Sequence, residues 1–177
     1  MRTSIPSIVL AAGFIVAGAA LTVSPAAATG SCANPSTPSS NKALVKKFYA
    51  ALDTKNKGLL DDVLSAGWID VPMAPGQKAG RAGMKGAIDG YFKSFPDFNV
   101  VNQDMIAEGD KVVVRSQIHA TQRGAFAGVA PSNRPFTIMA IDIHQVCDGR
   151  VVKTWHVEDW LNGLFQMGAL PPSHGSK

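Results

Sequence analysis

The sequence predicts an α+β fold: three N-terminal helices packed on a curved antiparallel sheet. Three observations point there. Apolar residues recur at helical spacing up to Phe95, and from Phe98 onward they alternate with polar ones. Gly109-Asp110 and Asp148-Gly149 punctuate the alternating half as turns. A chain of 177 residues, 46% of them hydrophobic, suits one domain with a real core rather than two.

Residues 1–28 read as a cleavable secretory signal: Arg2, an apolar run from Ile5 to Val23, Pro25, then Ala26, Ala27 and Ala28 as an exit. An uncleaved anchor is the alternative, because the run approaches spanning length, but Pro6, the glycines and the Ala exit favour cleavage. A lipoprotein reading meets Thr29 where a lipobox wants Leu ahead of Cys32. The expected location is therefore secreted or periplasmic, with no membrane contact after cleavage. Residues 29–40 form a Pro/Ser-rich leader, 41–170 the folded domain, and 171–177 a polar tail.

Asn41 can cap a first helix carrying Leu44, Val45, Phe48 and Leu52. A short helix over Leu59–Ser65 and a brief strand at Trp68–Val71 follow. A third helix starts near Arg81, sets Met84, Ile88, Tyr91, Phe92 and Phe95 on one face, and stops at Pro96. Four strands then read as Val100–Glu108, Lys111–Gln122, Phe136–Cys147 and Arg150–Asp159, with Arg123–Arg134 a longer loop and a closing helix near Leu161–Met167.

Without residues 1–28 the balance is 16 basic against 13 acidic side chains, scattered along the chain. No basic stripe with interleaved aromatics marks a nucleic-acid surface. No C-x-x-C or H-E-x-x-H spacing marks a metal, and none is expected. Cys32 and Cys147 could pair in an oxidising compartment, but two cysteines are no framework; paired and free readings stay open.

The last hairpin is the informative stretch. Asp142 and His144 share a strand face, as do Thr154, His156 and Glu158. A two-residue Asp148-Gly149 turn would set Asp142 with Trp155; a three-residue loop would set it with His156. Joining like with like favours the second, giving a polar cluster of Asp142, His144 and His156. It reads either as a pair that satisfies itself or as a dyad in which Asp142 orients and charges a proton-moving His156. No Ser or Cys stands in a nucleophile motif. His119 lies on a neighbouring strand. Trp68, Phe92, Phe126 and Trp160 suit core packing better than a pocket wall.

Phe95-Pro96-Asp97-Phe98, Ile106 to Arg115 (IAEGDKVVVR), Gly124 to Pro131 (GAFAGVAP) and Asp148-Gly149-Arg150-Val151-Val152 resemble the SnoaL-like polyketide cyclases, over roughly Asn41 to Gly168. The resemblance implies a cone-shaped α+β roll with an internal pocket, of the kind shared with ketosteroid isomerases, and often a homodimer. Its best-known members close a ring by an intramolecular aldol reaction, without metal or organic cofactor. An acid/base residue on the last strand works there with a histidine on the strand before. Those positions fall on His156 and Asp142, the two residue types exchanged. Gln122 stands where many relatives carry His, and Asp159 matches an acidic position common in the family.

The expectation is a cofactor-free acid/base enzyme of isomerase, cyclase or dehydratase type, acting on a small apolar carbonyl compound. Asp142 and His156 would be catalytic, with His119, Gln122, His144 and Asp159 as substrate-binding candidates. A non-catalytic ligand carrier or an interaction module are the alternatives.

Overall fold

A computed structural model describes Cys32 and residues 36–170. The proposed signal, most of the leader and the polar tail lie outside the described residues. Helix α1 (Pro38–Asp53) is followed by a 3-10 turn (Lys57–Leu59), α2 (Leu60–Val63), β1 (Leu64–Val71) and α3 (Gly80–Ser94). The rest is β2 (Asn99–Glu108), β3 (Lys111–Thr121), β4 (Pro135–Cys147), β5 (Arg150–Glu158) and α4 (Trp160–Met167).

Helix α1 starts earlier than its apolar periodicity suggests. Thr37 is the N-cap, its hydroxyl accepting from Ser40 N while Ser40 Oγ accepts from Thr37 N, a reciprocal capping box followed by Pro38. Asn41, expected as the cap, instead lies inside the helix and is buried. Its Nδ2 donates to Gly109 O at 3.1 Å, tying α1 to the β2–β3 turn. The inward face of α1 carries Val45, Phe48, Tyr49 and Leu52, the i, i+3, i+4 rows that a sheet-packed helix needs.

The sheet is curved and five-stranded, in the order β1-β5-β4-β3-β2. It is mixed, a correction to the antiparallel expectation: β2 to β5 form a meander, but β1 joins the β5 edge in parallel, with Asp70 beside Thr154. A parallel neighbour requires a long crossover, here everything between β1 and β5, and nothing local in the sequence announces it. Helix α1 packs across β2, β3 and β5, α3 on β1, and α4 on β4. Phe95, Leu60, Leu64, Ile88, Ile138, Val112 and Val114 fill the space between.

The β4–β5 hairpin resolves its register by an unexpected device. Asp148 and Gly149 both have positive φ, 49° and 71°, so the turn is the tight two-residue form. The pairing then slips by one between Gln145 and Val146, leaving Val152 as an extra residue on β5. Beyond that bulge Asp142 pairs with His156, the juxtaposition a longer loop would also have given. Cys32 and Cys147 form a disulfide, Cα atoms 5.3 Å apart, which fastens the chain ahead of α1 to the tip of this hairpin.

Candidate active site

Alternation sends Ser116 and Ile118 of β3, Ala140 and Asp142 of β4, and Thr154, His156 and Glu158 of β5 to the concave side. There, with Phe48 and Tyr49 of α1, Trp68 and Asp70 of β1, and Tyr91 of α3, they line a cavity. It has about 100 Å³ open to water, within about 680 Å³ of unfilled space counting its mouth. The polar groups form two connected sets.

The first set is a chain of hydrogen bonds whose direction follows from donor counting. Trp68 Nε1–H can only donate, and it meets Thr154 Oγ1 at 3.0 Å. The ionised Asp142 can only accept, so the Tyr49 hydroxyl that donates to it must accept from His144 Nε2 at 3.1 Å. With its proton on Nε2, the neutral His144 ring accepts at Nδ1 from the Thr154 hydroxyl at 3.0 Å. Tyr49 spends its single proton on Asp142 Oδ2 at 2.6 Å. Every donor points toward the carboxylate, so the chain polarises in one direction and stabilises the ionised form. His144 is fully buried; burial, with the positive His156 nearby, lowers its pKa to about 3 and keeps it neutral. Tyr49 is raised far above its ordinary value by burial, then by the charge and hydrogen bond of Asp142, and it holds its proton.

Burial is also the largest influence on Asp142 and pushes its carboxyl up to about 6. The Tyr49 hydrogen bond and the His156 charge pull it down, while Glu158 and Asp70 push it up. The result is a carboxylate that changes charge near neutrality.

The second set surrounds His156. Its Nδ1 lies 2.8 Å from Glu158 Oε1, and its Nε2 lies 2.8 Å from Pro72 O and 3.1 Å from Asp70 Oδ1. A carbonyl and two carboxylates only accept, so both ring nitrogens carry protons and the ring is an imidazolium. Burial works against that charge, but the hydrogen bonds and charges of Asp70 and Glu158 outweigh it and raise the pKa to about 10. Gln77 Nε2 donates to Asp70 Oδ2 at 2.8 Å and holds that carboxylate in place.

Asp142, His156 and Glu158 bring one ligand atom each within 4.8 Å of one another, a group that could hold a divalent cation. With both His156 nitrogens protonated toward oxygens, the imidazolium itself fills the role of the local cation.

The structure pairs Asp142 with His156 across β4 and β5, as the like-with-like register expects. The ring nitrogens of His156 face Glu158 and Asp70 rather than Asp142. The group poised near neutrality is Asp142. Of the four substrate-binding expectations none lines the cavity. His119 points to the outer face of the sheet, with Nδ1 3.0 Å from Thr137 Oγ1. Gln122 is buried and donates to Val129 O and Ala130 O, clamping the loop after β3. Asp159 accepts from Asn162 N and caps α4. His144 sits behind the wall, bonded to Tyr49 and Thr154. Trp68, in the core, and Trp160, packed against it, also line the cavity, whereas Phe92 and Phe126 only pack against the core.

Tyr49 and Asp70 escaped the sequence reading, and Tyr91 was placed only on the apolar face of the third helix. Tyr49 had a signal, four residues after Val45 on the inward face of α1. Asp70 had none, because its approach to His156 depends on the parallel β1–β5 pairing. Glu158 shared a predicted face with His156 and was passed over.

The family model for SnoaL-like polyketide cyclases matches residues 43–167. Among solved structures, TsrD from Streptomyces laurentii is 30% identical over 76% of this chain and 99% of its own, with a TM-score of 0.71. A candidate polyketide cyclase from Bacillus cereus ATCC 10987 is 26% identical over 75% and 83%, with a TM-score of 0.66. AclR, a candidate hydroxylase from Streptomyces galilaeus, is 25% identical over 78% and 87%, with a TM-score of 0.68. No curated protein sequence matches.

Proposed function

The chain belongs to the SnoaL-like polyketide cyclase family, and we propose that it is an exported, cofactor-free acid/base enzyme acting on a small apolar carbonyl compound. Asp142 is the general base: it takes a proton from the carbon beside a carbonyl and returns it elsewhere, giving isomerisation, cyclisation or dehydration. His156 is a fixed positive charge that favours the carboxylate and the enolate formed from the substrate. Tyr49, His144, Thr154 and Trp68 position the base; Asp70 and Glu158 position the cation. The observation that carries this reading is the one-directional hydrogen-bond chain ending on Asp142 Oδ2.

Exchange of the α-protons of aromatic ketones for deuterium in D₂O, followed by proton NMR, tests it. Asp142→Asn should slow exchange about a hundredfold or more with the fold intact. Wild-type exchange in that variant would overturn the assignment. The rate should rise with pH through about 6, as Asp142 ionises, and fall toward about 10, as His156 loses its proton.

Export is supported by the signal-like residues 1–28 and by the Cys32–Cys147 disulfide, a bond that persists in oxidising compartments. A homodimer through the outer sheet face is supported by its exposed apolar residues: Ile69, Met139 and Val157 are 54%, 48% and 64% exposed. Sedimentation of the mature protein should give twice the monomer mass, and Val157→Glu should halve it.

A further inference from the structure

Most hydrogen-bond donors around the cavity are already engaged. The N–H of Trp68 goes to Thr154, the hydroxyl of Thr154 to His144, and that of Tyr49 to Asp142. Both N–H groups of His156 face Glu158, Asp70 and Pro72. His156 can therefore lend charge to an enolate but has no N–H to spare for its oxygen. Four donors in the wall are uncommitted: the hydroxyls of Ser116 and Tyr91, the indole N–H of Trp160 and the second N–H of Gln77. Tyr91, Trp160 and Gln77 are partly exposed. Ser116 is not.

Ser116 is wholly buried, and its Oγ is one of two buried side-chain polar atoms without a hydrogen-bond partner among the described residues. The other, Gln122 Oε1, belongs to the loop clamp and lies off the cavity. A buried hydroxyl with no acceptor forfeits its hydration with nothing in return. Such a group in a cavity wall is explained when the acceptor arrives with a ligand.

Its neighbourhood suits one acceptor in particular. Ser116 pairs with Ala140 on β4, and Asp142 is the next inward residue on that strand. The two face the cavity as a diagonal pair, about 7 Å apart along the sheet, with Ala140 opposite Ser116 and Val114 opposite Asp142. A carbonyl oxygen at Ser116 puts the adjoining C–H within reach of Asp142.

We propose that Ser116 Oγ–H is the donor for the substrate's carbonyl oxygen, so that the ligand is an aryl or alicyclic ketone or ester that enters carbonyl-first. The inference rests on Asp142 being the base. In the step, the α-carbon gives its proton to the Asp142 carboxylate. The C–H electron pair forms the enolate C=C, and the carbonyl π pair moves to the oxygen held by Ser116. Reprotonation at carbon restores the carboxylate.

The test uses 1-tetralone, labelled with carbon-13 at its carbonyl, and its hydrocarbon counterpart tetralin. Ser116→Ala should weaken tetralone binding about three- to tenfold, the range of one neutral hydrogen bond, and leave tetralin binding unchanged. The infrared carbonyl stretch of bound tetralone should be lower in wild type than in Ser116→Ala, with Ser116→Cys, a weaker donor, between them. Ser116→Ala loses no partner and should melt no lower than wild type. Equal effects on both ligands, an unmoved stretch, or wild type binding tetralin as well as tetralone or neither would overturn the proposal. Asp142→Asn separates it from the reading beneath it: that variant should keep tetralone binding and the lowered stretch while losing α-proton exchange. If exchange persists there but the Ser116 results hold, the base assignment alone fails.

Discussion

Removing one oxygen atom from Tyr49 should move the pH profile without dismantling the site. Its hydroxyl donates to Asp142 Oδ2 at 2.6 Å and accepts from His144 Nε2 at 3.1 Å. In Tyr49→Phe the carboxylate loses a donor that favours its charged form, so its pKa must rise. A hydrogen bond to a charged group contributes about 1.5–3 kcal/mol, and one pKa unit corresponds to about 1.4 kcal/mol. Asp142 should therefore move from about 6 to about 7–8. The acid limb of α-proton exchange should shift upward by the same amount. Activity at pH 6 should drop roughly tenfold while activity near pH 9 stays within a few fold of wild type. The N–H of His144 is left without an acceptor, so stability should also fall by about 1–3 kcal/mol. A pH–rate series with parallel thermal melts reads both effects. An unmoved or downward-shifted acid limb would refute the hydrogen-bond chain as the device that sets the base.

Other perturbations test other links. Because burial raises the folded-state pKa of Asp142 above its unfolded value, the ionised side chain costs stability, fully above about pH 6 and not at all below about pH 4. Asp142→Asn should therefore melt higher than wild type at about pH 8, by an amount equivalent to roughly 1–3 kcal/mol, the advantage vanishing in acid. His156 has the opposite sign: its raised pKa makes the charged ring stabilising below about 6.5, with that contribution lost as pH climbs through about 10. Melts of His156→Asn should thus converge on wild type at high pH. The disulfide closes 115 residues of chain; Cys32→Ser with Cys147→Ser should cost about 2–5 kcal/mol by urea titration. His119→Ala and Asp159→Asn should leave exchange rates within about twofold, Asp159→Asn still capping α4.

Local patterns in the chain carried most of the fold. The Phe95-Pro96 stop, the switch to alternation after Phe98 and the Gly-containing turns each encode structure within a few residues, and the elements lie where they indicate. What failed was non-local. The parallel union of β1 with β5 depends on the whole crossover, and with it went Asp70. The Val152 bulge is invisible in sequence, although like-with-like matching of Asp142 and His156 reached the right pairing without it. His119, Gln122 and Asp159 are residue types that could bind substrate, but their faces and contacts give them structural work. The charge of His156 is set against burial by Asp70 and Glu158, and that of Asp142 by burial and then Tyr49, all contributions that sum across strands and helices.

The most direct test of the site is an NMR titration of the mature protein, following the carboxyl carbon of Asp142 and the ring nitrogens of His156 together. Asp142 should titrate near 6 and His156 should stay protonated on both nitrogens until about 10. A His156 that loses its proton near 6.5 beside an Asp142 already ionised at about pH 4 would contradict the division of base and cation.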